Sequence, residues 1–183
     1  MFLETDIIGL RQLEEDDLPQ MRDWRNSPII RGRTREYLPL NMINQKKWFA
    51  SLDSKNIMFA IIEKKTGKFI GVTGLVHIDY QNRIAEYSHY IGNPETRGKG
   101  YSRHVAYLVF EYAFGKLGLH KVWGEIYTHA PDILNIDKKL GFKHDATIRD
   151  TNFSDGKYWG SHIISILDTE WEKLRENYIK ERK

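Results

Sequence analysis

The sequence contains no cysteine, which removes disulfides, thiolate metal sites and a cysteine nucleophile from consideration. It also lacks internal repeats, low-complexity stretches and a Pro/Gly/Ser-rich linker, so nothing marks it as a string of modules. No stretch approaches the ~20 consecutive apolar residues that span a bilayer. Met1 to Leu13 mixes acidic with apolar residues, unlike the basic start and apolar run of a secretion signal. The expectation is a cytoplasmic protein with no membrane partner. Net charge is small as well, since 28 Lys and Arg face 25 Asp and Glu for a formal +3. The basic residues are dispersed, which argues against general nucleic-acid binding and leaves room for a local anion site.

The composition is that of an ordinary globular protein, 40% hydrophobic and 29% charged, with a generous aromatic share of 13%. A length of 183 residues suits one domain, 1–183 with a core over about 6–172, because two independent halves would each be small.

Hydrophobic period orders the chain as β, α, α, three β, α, β, α, β, β, α. Asp6 to Leu13 reads as a strand, and Glu14-Glu15-Asp16-Asp17 places negative charge where the dipole of a following helix favours it. That helix carries Leu18, Met21 and Trp24 or Arg25 on one face and stops near Asn26-Ser27-Pro28. An arginine-rich connection, Arg31 to Arg35, leads to a second short helix with Trp48, Phe49 and Leu52 at helical spacing. Ile57 to Glu63 and Phe69 to Val76 read as strands joined through Lys64 to Lys68. Arg83 to Ile91 follows with Ile84, Glu86, Ser88 and Tyr90 on one face. A helix from Tyr101 to Leu117 buries Val105, Leu108, Val109 and Tyr112, and Gly118 closes it. Lys121 to Tyr127 alternates as a strand, and Pro131 opens a helix that Gly141 stops. Lys143 to Arg149 and Tyr158 to Leu167 are the last strands, turning at Ser154-Asp155-Gly156. The tail from Asp168 is helical, with Trp171, Leu174 and Tyr178 in register.

The most informative stretch is the turn Arg97-Gly98-Lys99-Gly100-Tyr101-Ser102, between a strand and the long helix. Glycines let backbone N–H groups converge without side-chain interference, and a helix N-terminus adds partial positive charge, so the turn suits a pyrophosphate. Arg97 and Lys99 would reinforce it. Alone the signal is weak, because such turns are also purely structural. It matches neither nucleotide pattern: Tyr101 stands where a P-loop needs Lys then Ser or Thr, and the turn follows antiparallel strands, where a dinucleotide site needs a parallel start.

With these pieces in place the chain resembles the GNAT superfamily of N-acetyltransferases, in the branch of ribosomal-protein-alanine, spermidine and aminosugar acetyltransferases. The resemblance covers nearly the whole chain. It rests on Gly9-Leu10-Arg11-Gln12-Leu13, Trp24-Arg25-Asn26, Arg83-Ile84-Ala85-Glu86-Tyr87, Arg97-Gly98-Lys99-Gly100, Leu119-His120-Lys121-Val122 and Lys139-Leu140-Gly141-Phe142. It implies an α/β (α+β) fold, a mixed, mostly antiparallel central sheet of about seven strands flanked by helices. The third and fourth strands from the end of that sheet part to hold the pantetheine arm of acetyl-CoA. By resemblance His89, Tyr90 and Ile91 lie along the pantetheine, Arg97, Gly98, Lys99, Gly100, Tyr101 and Ser102 hold the pyrophosphate, and Trp159 closes the substrate side. The family's loop begins with Gln or Arg where Glu95 stands, so one side-chain phosphate contact is absent while the backbone cradle is untouched.

Amine acetylation needs a neutral nucleophile, and an alkylamine with a pKa near 10.4 must lose a proton first. Glu86, on the strand before the loop, is the candidate base by resemblance; its structural alternative is a carboxylate paired with Arg or Lys. The family's tyrosine acid falls at Asp137 and its asparagine at Ala130. Asp137 lies in an inward stripe with Ile133, Ile136 and Leu140, where an unpartnered carboxylate is costly. It reads equally as a modified catalytic group, a substrate-amine contact or a mark of lost activity, since an aspartate is ordinarily ionised at neutral pH and donates no proton. The histidines lack metal-ligand spacing, so no metal is expected. Trp48 and Trp159 are either core or acceptor-pocket walls. Arg25, with Arg31, Arg33 and Arg35, belongs to the region that recognises the acceptor in this superfamily, and reads either as an anionic-substrate site or as a solvated basic loop.

The expected activity is transfer of an acetyl group from acetyl-CoA to a primary amine: a nucleotide-linked aminosugar, a protein N-terminus or a small-molecule amine. The arginines weigh against a polyamine. The alternative is a catalytically weak acyl-CoA-binding sensor or interaction domain. Assembly is open, a homodimer included.

Overall fold

In the computed structural model, residues 1–35 and 37–180 are described, with side chains through Tyr178. Eight strands form one sheet: β1 (Leu3–Glu4), β2 (Ile8–Gln12), β3 (Ile57–Glu63), β4 (Lys68–Asp79), β5 (Ile84–Ile91), β6 (Lys121–Tyr127), β7 (Lys143–Ser154) and β8 (Lys157–Leu167). Their order is β1-β2-β3-β4-β5-β6-β8-β7. The pairs β1–β2, β2–β3, β3–β4, β6–β8 and β7–β8 are antiparallel, and β5–β6 is parallel. The sheet is mixed and mostly antiparallel as expected, with one strand more than the expected seven. The addition is β1, whose two residues pair with Gly9 and Leu10 and are too short for any period to reveal.

The chain forms two compact units, residues 1–78 with 87–109 and residues 79–86 with 110–183. In the first unit, the acidic run after β2 works through a specific pair. Arg11 grips the buried Asp17 with two hydrogen bonds of 2.7 and 2.8 Å, and Asp17 Oδ2 also accepts the Glu14 amide at 2.9 Å. Two parallel charge-assisted bonds fix angle as well as distance, so this clamp sets how α1 (Leu18–Asn26) leaves the strand. Leu18, Met21 and Trp24 form its buried face as expected. Leu13, Leu18, Met21, Ala60, Ile62 and Val72 make a core cluster, and Trp48, Phe49, Leu52 and Tyr90 pack on it. Each such Leu or Ile taken out of water contributes about 1.5–3 kcal/mol before the cost of ordering. Pro28–Arg31, expected as connection, is a short helix α2, and α3 spans Met42–Ala50. Asn26 ties the intervening segment down by donating to the Leu40 carbonyl at 2.9 Å and accepting its amide at 2.8 Å.

In the second unit, Phe110 meets Phe142 and Trp171 edge-on at 5.5 and 5.4 Å. The long helix was expected to run regularly to Leu117. Instead α4 covers Tyr101–Phe110 and continues as a π-helix over Glu111–Lys116. The wider turn accompanies a contact to α6 (Asp168–Lys180): Glu111 accepts from Trp171 Nε1 at 3.1 Å and from Arg175 at 2.5 and 2.8 Å. Helix α5 spans Pro131–Lys139. Strand β7 passes the expected end at Arg149 and reaches Ser154. Among the described residues no helix is long and apolar enough to cross a membrane.

Candidate active site

The glycine turn lies in the first unit, and its backbone geometry follows from its composition. Gly98 and Gly100 both sit at positive φ, 77° and 78°, which side-chain-bearing residues rarely adopt, and a Cβ added at either would meet nothing within 4 Å. The space on the Cβ side of each glycine is therefore open to an approaching group. The Arg97 amide donates to the Pro94 carbonyl and the Arg103 amide to the Gly100 carbonyl. The amides of Gly98 to Ser102 between them donate to no acceptor among the described residues. Free N–H groups at the start of a ten-residue helix, with its dipole behind them, are an anion cradle.

The flanking side chains hold this turn more than they extend it. Arg97 does not point its guanidinium charge into open solvent: Nε donates to the Ile91 carbonyl and Nη2 to the Gly92 carbonyl, both at 3.1 Å. Tyr101 donates its hydroxyl to Glu63 at 2.5 Å, and Lys99 Nζ stands 3.9 Å from the same carboxylate. Thr66 donates to the other Glu63 oxygen. The hydrogen bonds from Thr66 and Tyr101, with Lys99 nearby, hold the buried Glu63 carboxylate below its ordinary pKa. Glu63 was not foreseen as a site residue. Its one sequence signal is a carboxylate closing an otherwise apolar strand.

On β5, His89 faces α4 and shares a 3.0 Å hydrogen bond between Nε2 and Ser102 Oγ, while its Nδ1 has no hydrogen-bond partner. Burial pushes His89 down to about 4, so its imidazole is neutral at neutral pH and too weak a base to take a proton from an ammonium. Tyr90 points the other way, meeting Trp24 edge-on at 6.3 Å, and Trp24 packs on Phe69 at 4.8 Å. Gly92 makes that packing feasible, because a Cβ there would lie 2.0 Å from the Trp24 ring. The Tyr90 hydroxyl and the Arg25 Nε, at the end of α1, are both buried without a hydrogen-bond partner. Trp48 packs on the core cluster, so at least part of its ring serves stability.

In the second unit, Glu86 is buried at 8% exposure on β5, opposite Trp123 of β6 in the parallel ladder. That ladder covers Ile84–Glu86 against Lys121–Trp123. Asp137 is 9% exposed on α5 and its carboxylate has no hydrogen bond or ion pair among the described residues. Burial pushes it up to about 7. The expected inward stripe needs correction at Ile136, which is 43% exposed; Ala130, Asp137 and Leu140 are the buried positions, as the true helical angle from Asp137 requires. Trp159 is half-buried, donates to the Ser154 carbonyl at 3.3 Å, packs on His129 at 5.2 Å and carries Lys157 Nζ 4.0 Å over its ring. Among the described residues no three His, Asp or Glu side chains are grouped as a metal ion requires.

Comparison with known proteins gives the family. The acetyltransferase (GNAT) domain family matches residues 8–143. Spermidine N(1)-acetyltransferase of Escherichia coli K12 is 32% identical over 169 residues, covering 90% of this chain and 88% of that protein. The uncharacterized N-acetyltransferase p20 of Bacillus licheniformis is 23% identical over 175 residues, covering 92% and 97%. The crystal structure of spermidine N-acetyltransferase from Vibrio cholerae in complex with CoA and spermine superposes with a TM-score of 0.85 at 24% identity, over 92% of this chain and 99% of that one. The chain belongs to the GNAT acetyltransferase family and has its fold. It is accordingly an N-acetyltransferase, as the resemblance implied.

Proposed function

We propose that the protein transfers an acetyl group from acetyl-CoA to a primary amine. The observation that carries this reading is the row of free amides from Gly98 to Ser102 on a turn whose two glycines leave it open. The diphosphate of the donor rests there, on main-chain donors and the start of α4, with Lys99 beside it. Arg97 contributes by bracing the end of β5, and His89, Tyr90 and Ile91 border the pantetheine arm. The CoA complex of the Vibrio cholerae protein supports the choice of donor. The family match runs from residue 8 to 143, through parts of both compact units, which supports one acetyltransferase domain over 1–183.

In this reading Glu86, directly or through water, accepts the proton whose loss turns the acceptor's ammonium into a neutral nucleophilic amine; Asp137 protonates the departing thiolate and regains a proton from the nitrogen as the amide forms. A carboxyl near 7 is about half protonated at neutral pH, so Asp137 has the proton that an ordinary aspartate lacks. Trp159 borders the acceptor. Calorimetric titration with acetyl-CoA, followed by thiol-release assays on a panel of amines, tests the proposal. Saturable binding with turnover is expected. Saturable binding without turnover on any amine class would make the chain an acyl-CoA sensor, and absence of binding would refute the donor site.

A further inference from the structure

Ser102, the second residue of α4, is partly exposed, and its hydroxyl has one partner among the described residues, Nε2 of His89 at 3.0 Å. The imidazole on the other side of that contact is held in place. It stacks on Tyr87, two residues earlier on β5, with ring centroids 5.8 Å apart and planes 12° off parallel. Its Nδ1 is buried with no hydrogen-bond partner among the described residues. Burial holds the His89 pKa at about 4, so at neutral pH one ring nitrogen carries a proton and the other a lone pair.

Two arrangements satisfy the contact between His89 and Ser102. In the first, the serine hydroxyl donates to Nε2, the ring proton sits on Nδ1, and a buried N–H is left without an acceptor. In the second, Nε2–H donates to the serine oxygen and Nδ1 keeps only a lone pair. A buried N–H without an acceptor is the rarer and costlier orphan, so the second arrangement prevails. The Ser102 proton is then committed to nothing among the described residues, and it belongs to the same residue as the last free amide of the cradle. The first arrangement instead turns the serine lone pairs toward an incoming anion, which they repel. Resting on the donor-site reading above, we propose that His89 is a positioning residue: by donating Nε2–H to Ser102, it makes the serine hydroxyl a donor to the diphosphate of acetyl-CoA. The site thus adds one side-chain hydrogen bond to its main-chain cradle, and the imidazole serves it without touching the ligand's phosphates.

The first test needs neither variant nor ligand. Proton–nitrogen correlation spectra of the imidazoles in the wild-type protein are expected to show His89 as the neutral tautomer protonated at Nε2, and a proton on Nδ1 would overturn the proposal. Calorimetric titration with acetyl-CoA reads the consequence. Ser102→Ala is expected to raise the dissociation constant about tenfold, the scale of one hydrogen bond to a charged group. His89→Met, which fills similar space without a donor, is expected to raise it severalfold in the wild-type background and to add nothing beside Ser102→Ala. His89→Gln, whose side-chain N–H is able to donate to the serine oxygen, restores affinity toward wild type, which a merely space-filling histidine does not predict. In turnover the loss falls on KM for acetyl-CoA while kcat holds. An unchanged dissociation constant in Ser102→Ala, effects of the two substitutions that simply multiply, His89→Gln no better than His89→Met, or a loss confined to kcat would each overturn the proposal. A wild type without affinity for acetyl-CoA would instead sink the donor site, whereas one that binds acetyl-CoA with Nδ1 protonated sinks only the part given to His89.

Discussion

Replacing Asp137 by asparagine removes a carboxyl that burial on α5 pushes from 3.8 up to about 7. In the unfolded chain the same group ionises near its ordinary value, so between roughly pH 4 and 7 the folded protein holds a proton the unfolded chain has lost. Stability therefore falls as pH rises across that window and levels off above it. A shift of about three pKa units corresponds to a penalty of about 4 kcal/mol once both states are ionised, with about 2 of it already present at pH 5. The asparagine amide has nearly the same shape and does not titrate. Urea denaturation of wild type and Asp137→Asn at pH 5 and pH 8 is expected to show the difference between them moving by about 2–3 kcal/mol toward the variant. A difference that stays constant with pH would show that Asp137 is solvated in the folded state, and would remove the basis for treating it as an acid. Kinetics then separate strain from chemistry. An acid at the leaving thiolate makes the wild-type rate fall above pH 7, and its loss lowers kcat about a hundredfold with acetyl-CoA affinity intact. A variant that is both more stable and fully active would mark Asp137 as a stability defect with no catalytic part.

Gly98→Val forces a β-branched residue into φ near 77°, at a stability cost of about 1–2 kcal/mol. Its larger effect falls on acetyl-CoA, whose dissociation constant by calorimetry is expected to rise at least about tenfold because the new side chain stands in front of the free amides; an unchanged value would refute the cradle. Glu86→Gln is expected to lower kcat and move the pH–rate profile while leaving acetyl-CoA binding alone, and an unaltered profile would retire Glu86 as the base. Glu63 has its folded pKa depressed by Thr66, Tyr101 and Lys99, so its stabilising effect is present above the unfolded value and lost as pH falls through the folded one. Thermal denaturation should accordingly show wild type losing its advantage over Glu63→Gln on acidification from pH 7 to below pH 4, and parallel curves would count against that ion-pair network.

Strand boundaries were legible where burial and turns coincide. Ile57–Glu63, read as an apolar run, and Lys121–Tyr127, read from its alternation, both fall where expected, since each is bounded by turn residues. The distal half of β7 was not legible for the opposite reason. It is exposed nearly throughout, its register shifts between Ile148 and Asn152, and Asp150 sits at φ 54°, so no alternation survives there. The π-helix after Phe110 escaped notice because one widened turn leaves apolar spacing almost unchanged. Its signature is Glu111 reaching Trp171 and Arg175, some sixty residues away.

The conformation of the glycine turn was readable because its requirement falls on the backbone, and Gly98 and Gly100, both at positive φ, state it directly. The states of Asp137 and Arg25 depend on environment, which no local pattern encodes. Asp137 looked ionised until its burial without a partner was visible. Arg25 looked like one arginine among several in a basic loop, whereas the fold withdraws its Nε from solvent and leaves it a donor in want of an acceptor. That distinction bears on how far a relative's substrate can be transferred. A shared fold does not by itself fix the acceptor, which is chosen by the environment of individual side chains.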